Sequence, residues 1–264
     1  MSDSVSACEH IAFERFGSLD SPQLVLIHSL ALDKSVWQRM VPELAEHFSI
    51  WAIDLPGHGK SKYIVRPTIE AMANCVAEML KAQNVGSYTV VGMSMGGCVA
   101  QALAIHYPDQ IEGLCILDST SWYGPDAKTV WEQRAQRAVN EGLATFADFQ
   151  LSRWFTPEFL ATSPEVASTL FDIFVENDVP AYVAACRSMG RFDARLHLGD
   201  ITCPTMIGVG SEDQATPIAA SQFIADHVPD AEFEILDGCA HLSAIERPVE
   251  VAHLIKRLHA RIQS

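Results

Sequence analysis

The sequence predicts an α/β protein in which a mostly parallel, twisted sheet is flanked by helices and interrupted late by a helical insertion. Three observations predict it. Short apolar runs rich in Val, Ile and Leu alternate with helical patterns over residues 1–120, and the same rhythm resumes after residue 197. That alternation is the mark of βαβ units, whose strands are buried on both faces. Between the two stretches, residues 121–196 carry helical patterns with no strand-like run among them.

Residues 24–28 (LVLIH), 49–53 (SIWAI), 88–92 (YTVVG) and 113–118 (GLCILD) read as buried strands, each stopping at a polar or Gly residue. Helices are expected at about 36–47, 69–84 and 96–107. The C-terminal part adds strands at 204–210 and 231–236, a helix at 217–227 and a closing helix over 247–261. The domain reading is a core from 1–120 and 197–264, with a helical cap at 121–196 that holds Trp122, Trp131 and Trp154.

At 264 residues, 48% hydrophobic and 19% charged, the chain has the composition of an ordinary globular protein. Its 18 Lys and Arg against 33 Asp and Glu give a net charge of −15. Such a surface holds polyanions poorly, so no nucleic-acid partner is expected. No run of about 18 apolar residues predicts a membrane span. The start, MSDSVSACEHIAFERFG, lacks the basic-then-apolar pattern of a secretory leader. The seven cysteines (Cys8, Cys75, Cys98, Cys115, Cys186, Cys203 and Cys239) are dispersed and form no CxxC pair. They read as reduced, buried thiols of a cytoplasmic protein with no metal site. Self-association into a homo-oligomer is compatible with the sequence.

The chemistry is concentrated at Gly92-Met93-Ser94-Met95-Gly96-Gly97, between the strand run YTVV and the small-residue helix CVAQALA. A serine on a tight strand-to-helix turn needs small neighbours, because larger ones clash with strand and helix. It also lies where helix N–H groups favour developing negative charge. A serine hydroxyl is a weak nucleophile and needs a base, itself oriented by an acid, in the order Ser, acid, His. Asp213 follows the strand at 205–210 and His241 follows the strand at 231–236, which makes Ser94, Asp213 and His241 the candidate catalytic residues. Glu212 and Asp118 are the rival acids. An oxyanion site needs two backbone N–H groups; Met95 would supply one and Leu30, in the loop His28-Ser29-Leu30-Ala31, the other. His28 and Ser29 would shape the same pocket. The Gly-rich segment at 54–61 lacks the spacing of a phosphate loop and reads as a turn beside the site.

Together these residues resemble the α/β-hydrolase fold superfamily over essentially the whole chain. More narrowly, the chain is similar to the 3-oxoadipate enol-lactonases of bacterial aromatic catabolism. That similarity rests on the elbow at 92–97, the acid loop GSEDQATP (210–217), the histidine segment AHLSAIERP (240–248) and the cap segments RWFTPEF (153–159) and AYVAACRSM (181–189). The resemblance implies a cofactor-free, ring-opening hydrolysis of a small ester or lactone that carries a carboxylate. Arg153 and Arg187 are then the candidate cations for that carboxylate, with Trp154 as an apolar wall. His28-Ser29-Leu30-Ala31 departs from the Asn-Ser-Leu-Gly usual in those lactonases, which touches the substrate more than the reaction. The alternatives are a carbon–carbon bond hydrolase or perhydrolase of the same fold, and a ligand-binding protein without catalysis.

Overall fold

A computed structural model describes residues 10–63 and 67–264. Residues 1–9 of the N-terminal stretch read above for a leader, Cys8 among them, lie outside the described residues. Seven strands form one sheet in the order β1-β3-β2-β4-β5-β6-β7. They are β1 (Phe13–Phe16), β2 (Gln23–Ile27), β3 (Ser49–Ile53), β4 (Tyr88–Met93), β5 (Ile111–Leu117), β6 (Thr205–Gly210) and β7 (Ala231–Leu236). Only β1 runs antiparallel, against β3; the other neighbours pair in parallel. The mostly parallel α/β sheet expected from the sequence is therefore present. In β2, β4 and β5 nearly every side chain is buried, as strands covered by helices on both faces require.

The helices are α1 (Val41–Leu44), α2 (Ile69–Ala82), α3 (Met95–His106), α4 (Ala127–Glu141), α5 (Ala147–Trp154), α6 (Pro157–Thr162), α7 (Pro164–Val175), α8 (Val179–Met189), α9 (Ile218–His227), α10 (Ser243–Glu246) and α11 (Pro248–Ile262). Local sequence starts several of them. Thr68 caps α2 through the Ala71 N–H, Thr156 caps α6 through the Phe159 N–H, and Asp178 caps α8 through the Ala181 N–H. The helix expected at 36–47 is instead two short pieces. Asp33 caps a 3-10 turn at Lys34–Trp37, and a fresh turn begins around Pro42. Strand β1 was not read from the sequence: FERF is four residues long and lies at the sheet edge, where half its side chains face water.

Helices α4 to α8 occupy the stretch between β5 and β6. The two ends of this insertion are joined by an antiparallel bridge between Trp122 and Asp193 and by the Ala194 N–H donating to the Ser121 carbonyl. Its interior is aromatic: Phe146, Trp154, Phe174 and Tyr182 meet edge to face or tilted. Among the described residues, no helix is long and apolar enough to cross a membrane. Cys98, Cys115, Cys186, Cys203 and Cys239 are free thiols. Cys75 is disulfide-bonded, which corrects the reading of uniformly reduced cysteines and removes one support for a cytoplasmic setting.

Candidate active site

The site lies at the C-terminal ends of the parallel strands. Ser94 sits between β4 and α3 with φ 57° and ψ −117°, a conformation L-residues adopt only where surroundings enforce it. What enforces it is close packing of backbone on backbone. A Cβ at Gly92 would lie 2.1 Å from the Gly96 carbonyl oxygen, and one at Gly96 would lie 2.1 Å from the Ile27 carbonyl oxygen. The Ser94 N–H donates to the Leu117 carbonyl, and the Ser119 hydroxyl donates to the Ser94 carbonyl. The serine is pinned from both sides.

Ser94 Oγ lies 2.8 Å from His241 Nε2, and His241 Nδ1 lies 2.8 Å from Asp213 Oδ2. A carboxylate can only accept, so Nδ1 carries the hydrogen and Nε2 is left as the acceptor for the serine proton. Asp213 also accepts from the Ala215 and Thr216 N–H groups and from the Thr216 hydroxyl. All three side chains are nearly buried. Burial by itself raises the Asp213 pKa, but His241 and the Thr216 donors hold it below the usual carboxylate value. Burial likewise lowers that of His241. The charges of Asp213 and, more weakly, Asp118 outweigh it, so the imidazole ends above its ordinary value, with Arg153 pulling the other way. Thr216, 3.3 Å from His241 Nδ1, was missed in the sequence, where nothing marks it apart from its place three residues after the acid.

Leu30 lines the cavity with Ser94, and among the described residues its N–H donates to no loop, turn or cap carbonyl. Met95 opens α3, so its N–H belongs to the first helical turn and has no acceptor further back in the helix. Its side chain is buried in the core. The cavity measures about 630 Å³ and is walled by Ser29, Tyr123, Trp131, Phe149 and Trp154 among others.

Two sequence candidates are not brought to it. His28 is engaged with backbone: Nδ1 donates to the Ser29 carbonyl at 2.7 Å and Nε2 accepts from the Leu55 N–H at 2.9 Å. It supports the loop from beneath and does not line the cavity. Arg187 sits on the exposed face of α8 and holds Glu132 of α4 through two bonds of 2.7 and 2.6 Å, so it too is corrected from pocket to surface. Arg153 does line the cavity, over the Phe149 ring. Beside it stands Arg134, missed in the sequence because one arginine on a helix looks like any other. Arg134 donates to the Tyr182 hydroxyl and the Gln150 side-chain Oε1 and lies over Trp131 and Phe149. Among the described residues neither guanidinium is paired with a carboxylate, and each lies within the other's field: burial and Arg134 together depress the Arg153 pKa. Among the same residues, no cluster of His, Cys, Asp and Glu could hold a metal ion.

The chain is 29% identical to a 3-oxoadipate enol-lactonase of Acinetobacter baylyi, over 94% of this chain and 92% of that protein. It is 27% identical to a pimeloyl-[acyl-carrier protein] methyl ester esterase of Nitrosomonas europaea, over 87% and 92% of the two chains. The enol-lactonase structure from Burkholderia xenovorans superposes with a TM-score of 0.91 at 28% identity, covering 95% of this chain and 96% of that one. The family model described as alpha/beta hydrolase fold matches residues 22–248, and with that match over most of its length the chain belongs to the α/β-hydrolase fold family.

Proposed function

We propose that this protein hydrolyses a small carboxylic ester or lactone through an acyl-enzyme on Ser94, and that its substrate is an enol-lactone bearing a carboxylate. That it is a carboxylic ester hydrolase follows from relatives that are enol-lactonases and methyl ester esterases alike. The choice between those substrates rests on the pocket.

The observation that carries the mechanism is the position of His241, 2.8 Å from both the Ser94 hydroxyl and the Asp213 carboxylate. Ser94 gives its proton to Nε2 as Oγ bonds to the carbonyl carbon. The oxygen that becomes negative meets the Leu30 and Met95 N–H groups. Asp213 keeps Nδ1 protonated and stabilises the imidazolium. When the tetrahedral species collapses, the ring C–O bond breaks and the leaving enolate takes the proton from Nε2. Water then gives a proton to Nε2 while attacking the acyl carbon, and Ser94 recovers its proton as the acid leaves. Each step moves only protons and one acyl bond, so none needs a cofactor. The carboxylate reading is supported by Arg134 and Arg153, which line the cavity and, among the described residues, are paired with no carboxylate.

The test is Ser94→Ala assayed on 3-oxoadipate enol-lactone beside neutral aryl esters. Turnover is expected to fall by at least about 10³-fold while the circular dichroism spectrum is kept. Near-normal hydrolysis by a folded variant would remove the serine mechanism, and a preference for neutral esters in the native enzyme would remove the carboxylate-bearing lactone.

A further inference from the structure

Asp118 is a buried carboxylate that the mechanism above does not use. It directly follows β5 at φ 47°, a left-handed conformation that a non-glycine residue holds only under constraint. Its side chain is fully enclosed. Oδ1 accepts from the Gly210 N–H at 3.0 Å, and Oδ2 accepts from the Ser243 N–H, also at 3.0 Å. Gly210 is the last residue of β6 and opens the loop that carries Asp213. Ser243 opens α10, two residues after His241. One carboxylate therefore holds both loops, each oxygen taking one. The main chain of the same residue donates to the Gly208 carbonyl, which ties it to β6 a second time.

We propose that Asp118 is a positioning residue that sets the distance between the acid loop and the histidine loop, so that His241 stays within reach of Ser94 and Asp213 together. The inference rests on the hydrolase reading above. Both donors are backbone N–H groups, one to each oxygen, and the ionised carboxylate accepts such bonds better than the protonated form does. Burial, and after it the nearby charge of Asp213, oppose the ionised form and push the Asp118 carboxyl up to about 7, while His241 and Ser243 pull it back. A buried charge kept next to another of the same sign is costly, and its two-loop attachment is what it supplies in return.

The experiment uses the full chain with Asp118→Asn and Asp118→Glu, alongside Ser94→Ala. Asparagine has the shape of aspartate and tolerates φ 47°, but it presents an N–H where an acceptor is needed, so one loop is released. Expected for Asp118→Asn are a fall in kcat of about 10- to 100-fold, a KM within about twofold, and slower fluorophosphonate labelling of Ser94 by the same factor as kcat. The acid limb of kcat/KM should also move to lower pH, because Asp118, with Asp213, raises the His241 pKa against Arg153. Asp118→Glu keeps the charge but displaces it by one methylene. Its acid limb should stay in place while its kcat still falls. Wild-type kcat in either folded variant would overturn the proposal, and so would a loss confined to KM. If the asparagine variant fails to fold, the glutamate variant decides in the same way. Failure of the underlying hydrolase reading looks different, since Ser94→Ala would then stay active whatever Asp118 does.

Discussion

Arg134 and Arg153 bring their charges into the cavity and, among the described residues, neither is paired with a carboxylate, which should show in substrate choice. Arg153→Met removes a charge-assisted bond of about 1.5–3 kcal/mol. It is expected to raise KM for the carboxylate-bearing lactone by roughly 10- to 100-fold and to leave neutral aryl esters within about twofold. Steady-state kinetics on the two substrate types checks this, and an equal effect on both would remove the arginine from carboxylate recognition. Behind the loop after β2, His58 is buried against His28, with ring centroids 5.2 Å apart. Burial, with the His28 charge adding to it, lowers the His58 pKa from 6.5 to about 3, and burial lowers that of His28 too. The folded protein therefore keeps these rings neutral where the unfolded chain would bind protons. The His58 contribution to stability is complete above pH 6.5 and is lost as pH falls from 6.5 toward 3, at about 1.4 kcal/mol per pH unit, and the lowered His28 acts in the same direction. Urea midpoints measured between pH 7 and 5 should fall accordingly. His58→Phe should flatten that slope, and an unchanged slope would place the acid sensitivity elsewhere.

The β4–α3 turn shows how an element can be specified by what it cannot contain. A methyl group at Gly96 would stand 2.1 Å from the Ile27 carbonyl oxygen and 2.6 Å from that of His28, both backbone atoms of β2 and its following loop. Gly96→Ala is expected to destabilise the protein by about 3 kcal/mol or more and to reduce activity by moving the oxyanion loop. Chemical denaturation with an ester assay checks both, and a stable, active variant would show that the turn can relax. This element was legible in the sequence because the requirement is local: small residues on either side of a serine between a strand run and a helix. The 36–47 helix and β1 were not legible, for the opposite reason. In the first, apolar spacing fits a helix, yet Asp33 capping and Pro42 break it into two turns. In the second, a four-residue edge strand owes its existence to pairing with β3, 34 or more residues further on, and carries no pattern of its own.

At the scale of the molecule, the helical insertion is fastened to the catalytic side of the sheet by buried polar contacts. Glu246 accepts from the Thr156 N–H and hydroxyl through one oxygen and from the Ala240 N–H through the other, and the Leu242 N–H donates to the Trp154 carbonyl. Asn177 on the insertion donates to the Ala31 carbonyl in the loop after β2. Glu246→Ala leaves three buried donors unmet. The expected cost is about 3 kcal/mol, a fall in Tm of roughly 6–12 °C, with reduced kcat because Ala240 precedes His241. Thermal melts and turnover measured on the same preparation check this, and an unchanged Tm would show that the insertion is held by its apolar face alone. The sequence by itself determined the alternating architecture and the late helical stretch, and it singled out Ser94, Asp213 and His241, the three side chains that the structure brings into contact. Each of these is written in local spacing, in residue type or in chain order. Only the tertiary structure decided that Arg134 and not Arg187 faces the cavity, that His28 serves the backbone, and that Asp118 joins two loops. Those outcomes depend on which surfaces meet when distant segments pack, and a hydrogen bond between residues 92 or 125 positions apart leaves no trace in the order of the amino acids.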